Sequence, residues 1–178
     1  MVAILVLSIA LLGIAGLMSA SLRFAQGSWA RASVSSALSD LADRVRSNPG
    51  ATPVAYAASA PYVDQQVTSY ALPFTTDCLA ATCAAASDLA AFQLEQWRLE
   101  VKRTLPSSAI WVSGQRSTGY VATVMWFDKT FLKADGKTPE ASPTCGSGTP
   151  TGLAQRSCCP SGATVPDGVR CTNMTIVP

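Results

Sequence analysis

Residues 1–24, MVAILVLSIALLGIAGLMSASLRF, decide the fold that this sequence can adopt. The run holds no charged residue before Arg23. Residues 1–22 are long enough to cross a bilayer, which takes about 20 apolar residues. Because every charged residue of the 178-residue chain lies from Arg23 onward, the first 22 residues are physically distinct from the rest.

No turn signal separates this apolar run from the residues that follow it, since the first proline of the chain is Pro49. Four apolar residues then repeat at helical spacing: Val34, Leu38, Leu41 and Val45. That spacing places them on one face of a helix. Asn48-Pro49-Gly50 is typical of a helix stop. We therefore predict one continuous helix from about Val2 to Ser47, roughly 70 Å long.

The apolar run permits three interpretations. A cleaved secretory signal would have a basic N-terminal region and a small-x-small cleavage site. Ser19-Ala20-Ser21 fits the site, but the basic region is missing. A plain membrane anchor with a helical stalk is the second interpretation. The third is a helix whose first half lies in lipid or against other copies of such helices, while its second half covers a globular head.

The predicted head, residues 48–178, contains a second helix and an antiparallel sheet. Ser87-Asp88 is the predicted helix cap, and Leu105-Pro106 the predicted end. The apolar positions expected to pack on the sheet are Ala90, Leu94, Trp97, Val101 and Leu105. The charged positions expected to face water are Glu95, Arg98, Glu100, Lys102 and Arg103. AIWVSG (109–114) and YVATVMWF (120–127) read as a hairpin, and CTNMTIV (171–177) as a final strand.

Both faces of the second predicted strand carry bulky apolar groups. Tyr120, Ala122, Val124 and Trp126 alternate with Val121, Thr123, Met125 and Phe127. One face is expected to pack on the helices. The other meets either a partner or the C-terminal segment.

Six cysteines lie beyond the apolar run: Cys78, Cys83, Cys145, Cys158, Cys159 and Cys171. An even count, irregular spacing and a hydrophobic leader favour disulfides in an oxidising compartment over a metal site. Cys78 and Cys83 flank a short alanine-rich loop and are expected to pair. Neighbouring cysteines rarely bond each other. Cys145 is therefore expected to pair with one of the adjacent cysteines and Cys171 with the other.

Composition argues against catalysis and nucleic-acid binding. The chain has no histidine, the commonest general base, and no phosphate-binding or nucleophile motif. The net charge of +2 has no basic run of the kind that nucleic-acid binding requires. We expect no catalytic residue, no metal site and no cofactor.

The stretch VAILVLSIALLGIAGL (2–17) resembles the N-terminal segment of type IV pilins and pseudopilins. Together with LADRVRSNP (41–49), it is similar to minor pilins of the PilV type. DLAAFQLEQWRLEVKRTLP (88–106) and VATVMWFD (121–128) resemble that family's second helix and central strand. Nothing specific is recognised beyond residue 129.

The resemblance implies an α+β, type IV pilin-like fold, with a long N-terminal helix packed on an antiparallel sheet and a disulfide-tied C-terminal region. Residues 1–22 would be the transmembrane or filament-core half of the helix, 23–47 its amphipathic half and 48–178 a periplasmic head. The implied filament-core positions are Val2, Ile4, Leu5, Leu7, Ile9, Leu11, Leu12, Ile14 and Leu17. The implied face on the head is Val34, Leu38, Leu41 and Val45.

The function implied by the resemblance is assembly. A minor pilin waits in the bacterial inner membrane, helps to initiate the type IV pilus and sits at or near its tip. It thereby supports adhesion and twitching motility. Its partners would be other minor pilins, the major pilin and a tip adhesin. The alternatives are a minor pseudopilin of type II secretion and a membrane-anchored exported domain of other function.

The sequence departs from the pilin pattern at its front. The family has a short basic leader, a cleavage glycine, an aromatic first residue and an acidic fifth residue, and these do not precede the apolar run here. Aligned with that pattern, Met1 falls about seven residues into the mature helix. We therefore expect the coding DNA upstream of Met1 to encode the leader and the acidic residue in frame.

Overall fold

The computed structural model of the protein describes residues 2–105, 107–146 and 152–178, without the side chains of residues 2–6 and 23. The helices are α1 (Val2–Ser47), α2 (Ala86–Thr104) and α3 (Leu153–Ser157), with 3-10 turns at Asp64–Gln66 and Ser161–Ala163. The strands are β1 (Ala109–Gln115), β2 (Gly119–Phe127) and β3 (Val169–Ile176). The chain is therefore α+β with a long N-terminal helix, as predicted.

The three strands form one antiparallel sheet in the order β1-β2-β3. β1 and β2 are joined by a tight hairpin, and the predicted strand bounds differ from the observed ones by one or two residues. β3 pairs with β2 after a long excursion of the chain, with Met125 opposite Cys171. β2 is the central strand, and residues on its two faces belong to two different buried clusters.

The first face of the sheet packs against both long helices. Tyr120, Ala122, Val124 and Trp126 of β2 belong to one buried cluster with the stripe of α1. The α1 members of that stripe are Val34, Leu38, Leu41 and Val45, each at most 2% exposed. Trp97 of α2 is fully buried in the same cluster, as the sequence predicts for core packing.

The part of the second face around Met125 is covered by the C-terminal segment, which is one of the two alternatives left open by the sequence, while Val121 on the same face is exposed. Met125 lies in a smaller cluster with Cys159, Ala163, Val169 and Cys171. Gly168 makes this cover possible, since its φ is +87° and a Cβ there would lie 2.6 Å from the Phe127 ring. A side chain at that position would be strained and would clash.

Three disulfides tie the loops of the head: Cys78–Cys83, Cys145–Cys158 and Cys159–Cys171. All six cysteines are therefore paired. This connectivity is one of the two that the sequence allowed. Cys158 bonds to the loop that contains Cys145, and Cys159 bonds to Cys171 in β3. The adjacent pair therefore joins that loop to β3.

Two predictions about α2 are wrong. The helix begins at Ala86 after an extended Ala85 that has no side-chain cap, so Ser87-Asp88 lies inside the first turn. Glu95 and Arg98 were expected to face water, yet each is only 4% exposed. The connector between α1 and α2, residues 48–85, covers both side chains at Tyr70 and Leu72. The spacing of residues within the helix does not reveal this cover. The helix ends at Thr104, and the predicted stop at Pro106 lies outside the described residues.

Candidate functional site: the exposed apolar half of the N-terminal helix

The helix α1 changes character along its length. Every described side chain from Leu7 to Leu22 is exposed, and Leu12 and Leu17 are each 74% exposed. Burial begins at Ala30 and continues along the stripe to Val45. The predicted filament-core residues Leu7, Ile9, Leu11, Leu12, Ile14 and Leu17 therefore touch no core of this chain. The side chains of Val2, Ile4 and Leu5 lie outside the described part.

The exposed half needs an environment other than water. Apolar patches larger than a few hundred Å² are rare on soluble monomers and mark contact with a protein or a membrane. In the described part of the chain, one helix is long and apolar enough to span a bilayer, and it is this one. Length and composition alone distinguish this helix, and a signal sequence near the N-terminus has the same properties.

The second half of α1 is fixed to α2 by polar contacts beside the apolar stripe. The Trp97 indole N–H donates to the carbonyl of Ala37 at 2.7 Å. Arg44 forms ion pairs with Asp40 on the same helix and with Glu100 on α2, both at 2.8 Å. These contacts hold the position of the helix along its axis, which the apolar stripe alone fixes less well.

The end of α1 is held by Asn48, which is 6% exposed. Its side-chain N–H donates to the Ala86 carbonyl at 2.8 Å, so the stop of α1 is tied to the start of α2. Arg116, in the β1–β2 hairpin, donates to the Asn48 carbonyl at 2.7 Å. The sequence marked Asn48-Pro49 only as a stop. The structure also gives Asn48 the role of joining α1, α2 and the hairpin.

The tyrosines of the head are kept neutral by their surroundings. Desolvation raises the pKa of Tyr56, and the neighbouring Asn48 and Arg116 oppose that shift only in part. Burial alone raises the pKa of Tyr62, whose hydroxyl donates to the Ser107 carbonyl at 2.6 Å. Both groups therefore support the fold as hydrogen-bond donors.

The sequence analysis missed one segment that lines a groove together with the end of the apolar half. Residues 128–140 leave the end of β2 and border α1 from Gly16 to Arg31. Three of the chain's four lysines, Lys129, Lys133 and Lys137, fall in this segment at intervals of four residues. The four-residue interval between these lysines is the pattern from which the segment could have been found. It was overlooked because the lysines do not form a continuous basic run.

The described residues contain no group of three or more histidine, cysteine, aspartate or glutamate side chains that could hold a metal ion. Comparison with family models, curated proteins and solved structures finds no match to this chain. The exposed apolar half of α1 is thus the candidate functional site, because its large apolar surface is not covered by the described part of this chain.

Proposed function

We propose that this chain is a minor pilin of the type IV pilus. The observation that carries the proposal is the division of α1, a single 46-residue helix, into an exposed apolar half and a half built into the head. A subunit that passes from lipid into a filament requires such a helix, because both surroundings cover the apolar half and leave the head intact.

In this proposal the subunit waits in the inner membrane with its head in the periplasm. The disulfides support that location, because disulfides persist in oxidising compartments. It then joins other minor pilins and the major pilin at or near the tip, where it supports a tip adhesin, adhesion and twitching motility. Burial at about 25 cal/mol per Å² of apolar surface makes the helix the main source of assembly energy. The head supplies specificity.

Topology is the first test. A reporter that is active only in the periplasm, fused after Pro178, should be active in intact cells. Activity of a cytoplasm-only reporter at the same position would contradict the proposed orientation. Fusion at this terminus is suitable because Pro178 is exposed.

Assembly is the second test. The full chain, solubilised from membranes after mild crosslinking, should co-purify with minor and major pilins. The matched control lacks residues 1–22. It should keep the near-UV circular dichroism of the head, because the described part of that stretch makes no buried contact. It should lose both membrane retention and co-purification.

The alternatives give different results. Co-purification with secretion components would favour a minor pseudopilin of type II secretion. A full chain that stays in the membrane without filament partners would favour an anchored domain of other function. A soluble product that begins near Leu22 would indicate a cleaved signal.

A further inference from the structure

The segment Asp128 to Glu140, here called the basic hairpin, is a built element of the head. Leu132 and Pro139 form an antiparallel bridge. The Lys133 N–H donates to the Thr138 carbonyl at 2.8 Å, and the Glu140 N–H donates to the Phe131 carbonyl at 3.1 Å. The segment therefore doubles back on itself and presents a tip at residues 134–137.

Two aspartates hold the ends of the basic hairpin. Asp128 is buried at its base and accepts hydrogen bonds from the backbone N–H and the hydroxyl of Thr130, at 2.9 and 2.6 Å. Asp135 accepts from the backbone N–H groups of Lys137 and Thr138 at the tip. The Thr138 hydroxyl and these N–H groups lower the pKa of Asp135 to about 2. These hydrogen bonds thus fix the backbone on which the lysines are carried.

The basic hairpin lies beside the apolar half of α1. Lys129, Thr130 and Leu132 line a groove of about 420 Å³ whose other wall runs from Gly16 to Phe24. From Gly16 to Leu22, the last residue of the apolar run, the helix rises by about 9 Å. When the apolar half is in a bilayer, we therefore expect the hairpin to lie near the boundary between the hydrocarbon and the headgroups.

The charge of the basic hairpin is free to act outward. Lys129, Lys133 and Lys137 are exposed, and none of them forms an ion pair in the described part of the chain. The hairpin's own carboxylates offset this charge only in part, because one of them, Asp135, is exposed beside Lys133 and keeps its negative charge. Asp128 is buried, Asp135 is engaged at the tip, and Glu140 pairs with Arg170 at 3.1 Å.

Aromatic side chains lie at the same level on α1. Phe24 is 78% exposed and Trp29 is 56% exposed, and each lines a groove next to Lys129. Amphipathic aromatic rings, Trp above all, concentrate at the headgroup level of membranes, where basic residues also meet anionic lipids. Exposed aromatics, Lys129 of the basic hairpin and the end of an apolar helix thus occur together.

We propose that the basic hairpin binds the anionic headgroups of phospholipids on the side of the membrane where the head lies. The inference rests on the proposed membrane anchor and adds a second, electrostatic contact to it. A lysine close to an anionic surface strengthens binding about fivefold, so the three lysines less the charge of Asp135 give on the order of 25-fold. This contact fixes which side of the head faces the membrane.

The test uses the full chain in nanodiscs of phosphatidylcholine, with or without about 30% phosphatidylglycerol. A nitroxide on Ala134→Cys reports on the hairpin tip, and one on Ser117→Cys reports on the β1–β2 hairpin at the other end of the head. Native cysteines do not compete for the label because all are paired. The measurement is the collision rate of each nitroxide with a water-soluble nickel chelate.

The proposal expects phosphatidylglycerol to reduce the collision rate at position 134 at least threefold and to leave position 117 unchanged. The triple variant K129Q/K133Q/K137Q should lose the reduction, and K129R/K133R/K137R should keep it. The matched control R46Q/R103Q/R156Q removes as many exposed charges elsewhere and should also keep it. About 0.5 M NaCl should abolish it, since salt screens exposed charges.

Two outcomes overturn the proposal in distinguishable ways. A chain that inserts but shows equal collision rates at position 134 in both lipid mixtures overturns the headgroup contact alone. A chain that does not enter nanodiscs at all overturns the anchor, and the headgroup contact with it. An equal loss of protection in the matched control would show a general charge effect and would also refute a role for the hairpin.

Discussion

The buried ion pair between Glu95 and Arg98 permits a quantitative test of how the connector is held on α2. Both side chains are about 95% buried, and two N–H groups of Arg98 donate to the two carboxylate oxygens of Glu95 at 2.7 Å. Glu95 also accepts from the Leu72 N–H at 3.0 Å, and Arg98 donates to the Tyr70 carbonyl at 3.0 Å. The pair thus serves the backbone of residues 70–72 as well as itself.

The perturbation is a double-mutant cycle with Glu95→Leu and Arg98→Met. Each single change leaves one buried charge without its partner, which costs about 3–5 kcal/mol of the free energy of unfolding. The double change leaves two backbone groups without partners, at about 1–3 kcal/mol each, but it removes both charges, and replacing a buried ion pair by apolar side chains is itself often neutral or stabilising. The double variant should therefore be no less stable than either single variant, and the coupling energy should be at least about 2 kcal/mol.

The assay is urea unfolding of the full chain in a mild detergent, without reductant, followed by near-UV circular dichroism. Glu100→Leu is the control, because Glu100 is about half exposed and its pair with Arg44 lies at the surface. That change should cost about 1 kcal/mol or less. Additive single variants, with a double variant that loses the sum of both, would refute the argument that the two charges act as one buried unit.

Two further predictions concern the disulfides and the tyrosines. Replacing both Cys159 and Cys171 by alanine should lower the free energy of unfolding by about 3 kcal/mol in the same urea assay, because their bridge spans 12 residues within the second core. Replacing Cys78 and Cys83 should cost less, because their bridge closes a shorter loop. Equal costs would contradict this order. Burial raises the pKa of all four tyrosines above 10.0, so the folded chain keeps its phenolic protons more firmly than the unfolded chain. The tyrosine contribution to the free energy of unfolding should be fully present well below pH 10 and should be lost as the pH rises through and above 10, with a smaller loss in Tyr62→Phe. A free energy of unfolding that stays constant up to pH 11 would contradict this prediction.

The two long helices and the three strands were predictable because each is set by short-range patterns, whereas the short α3 was not predicted. The stripe from Val34 to Val45 repeats at helical spacing, and Asn48-Pro49 ends it, so α1 was predicted with its observed bounds. β1 and β2 were predicted from alternation and from the glycines that flank their turn. That residues 1–22 are long and apolar enough to cross a membrane follows from length and composition, which need no knowledge of tertiary contacts.

The missed features depend on segments that meet only in three dimensions. Glu95 and Arg98 have the spacing of a solvated helix face, and their burial results from the connector that crosses them at Tyr70 and Leu72. The basic hairpin was missed for a similar reason. Each of its lysines is separated from the next by three other residues, and only the fold brings the hairpin that carries them beside α1.

The continuity of α1 gives the head a defined orientation to whatever surrounds the apolar half. The helix is unbroken between Leu22, where the apolar run ends, and Ala30, where burial begins. Across that interval the basic hairpin packs on it, with Thr130 against Gly27. A rotation of the apolar half about its axis must therefore turn the head by the same angle. In the proposed pilin, the helix packing that selects a position in the filament would also select which side of the head faces its neighbours, because no flexible joint lies between them.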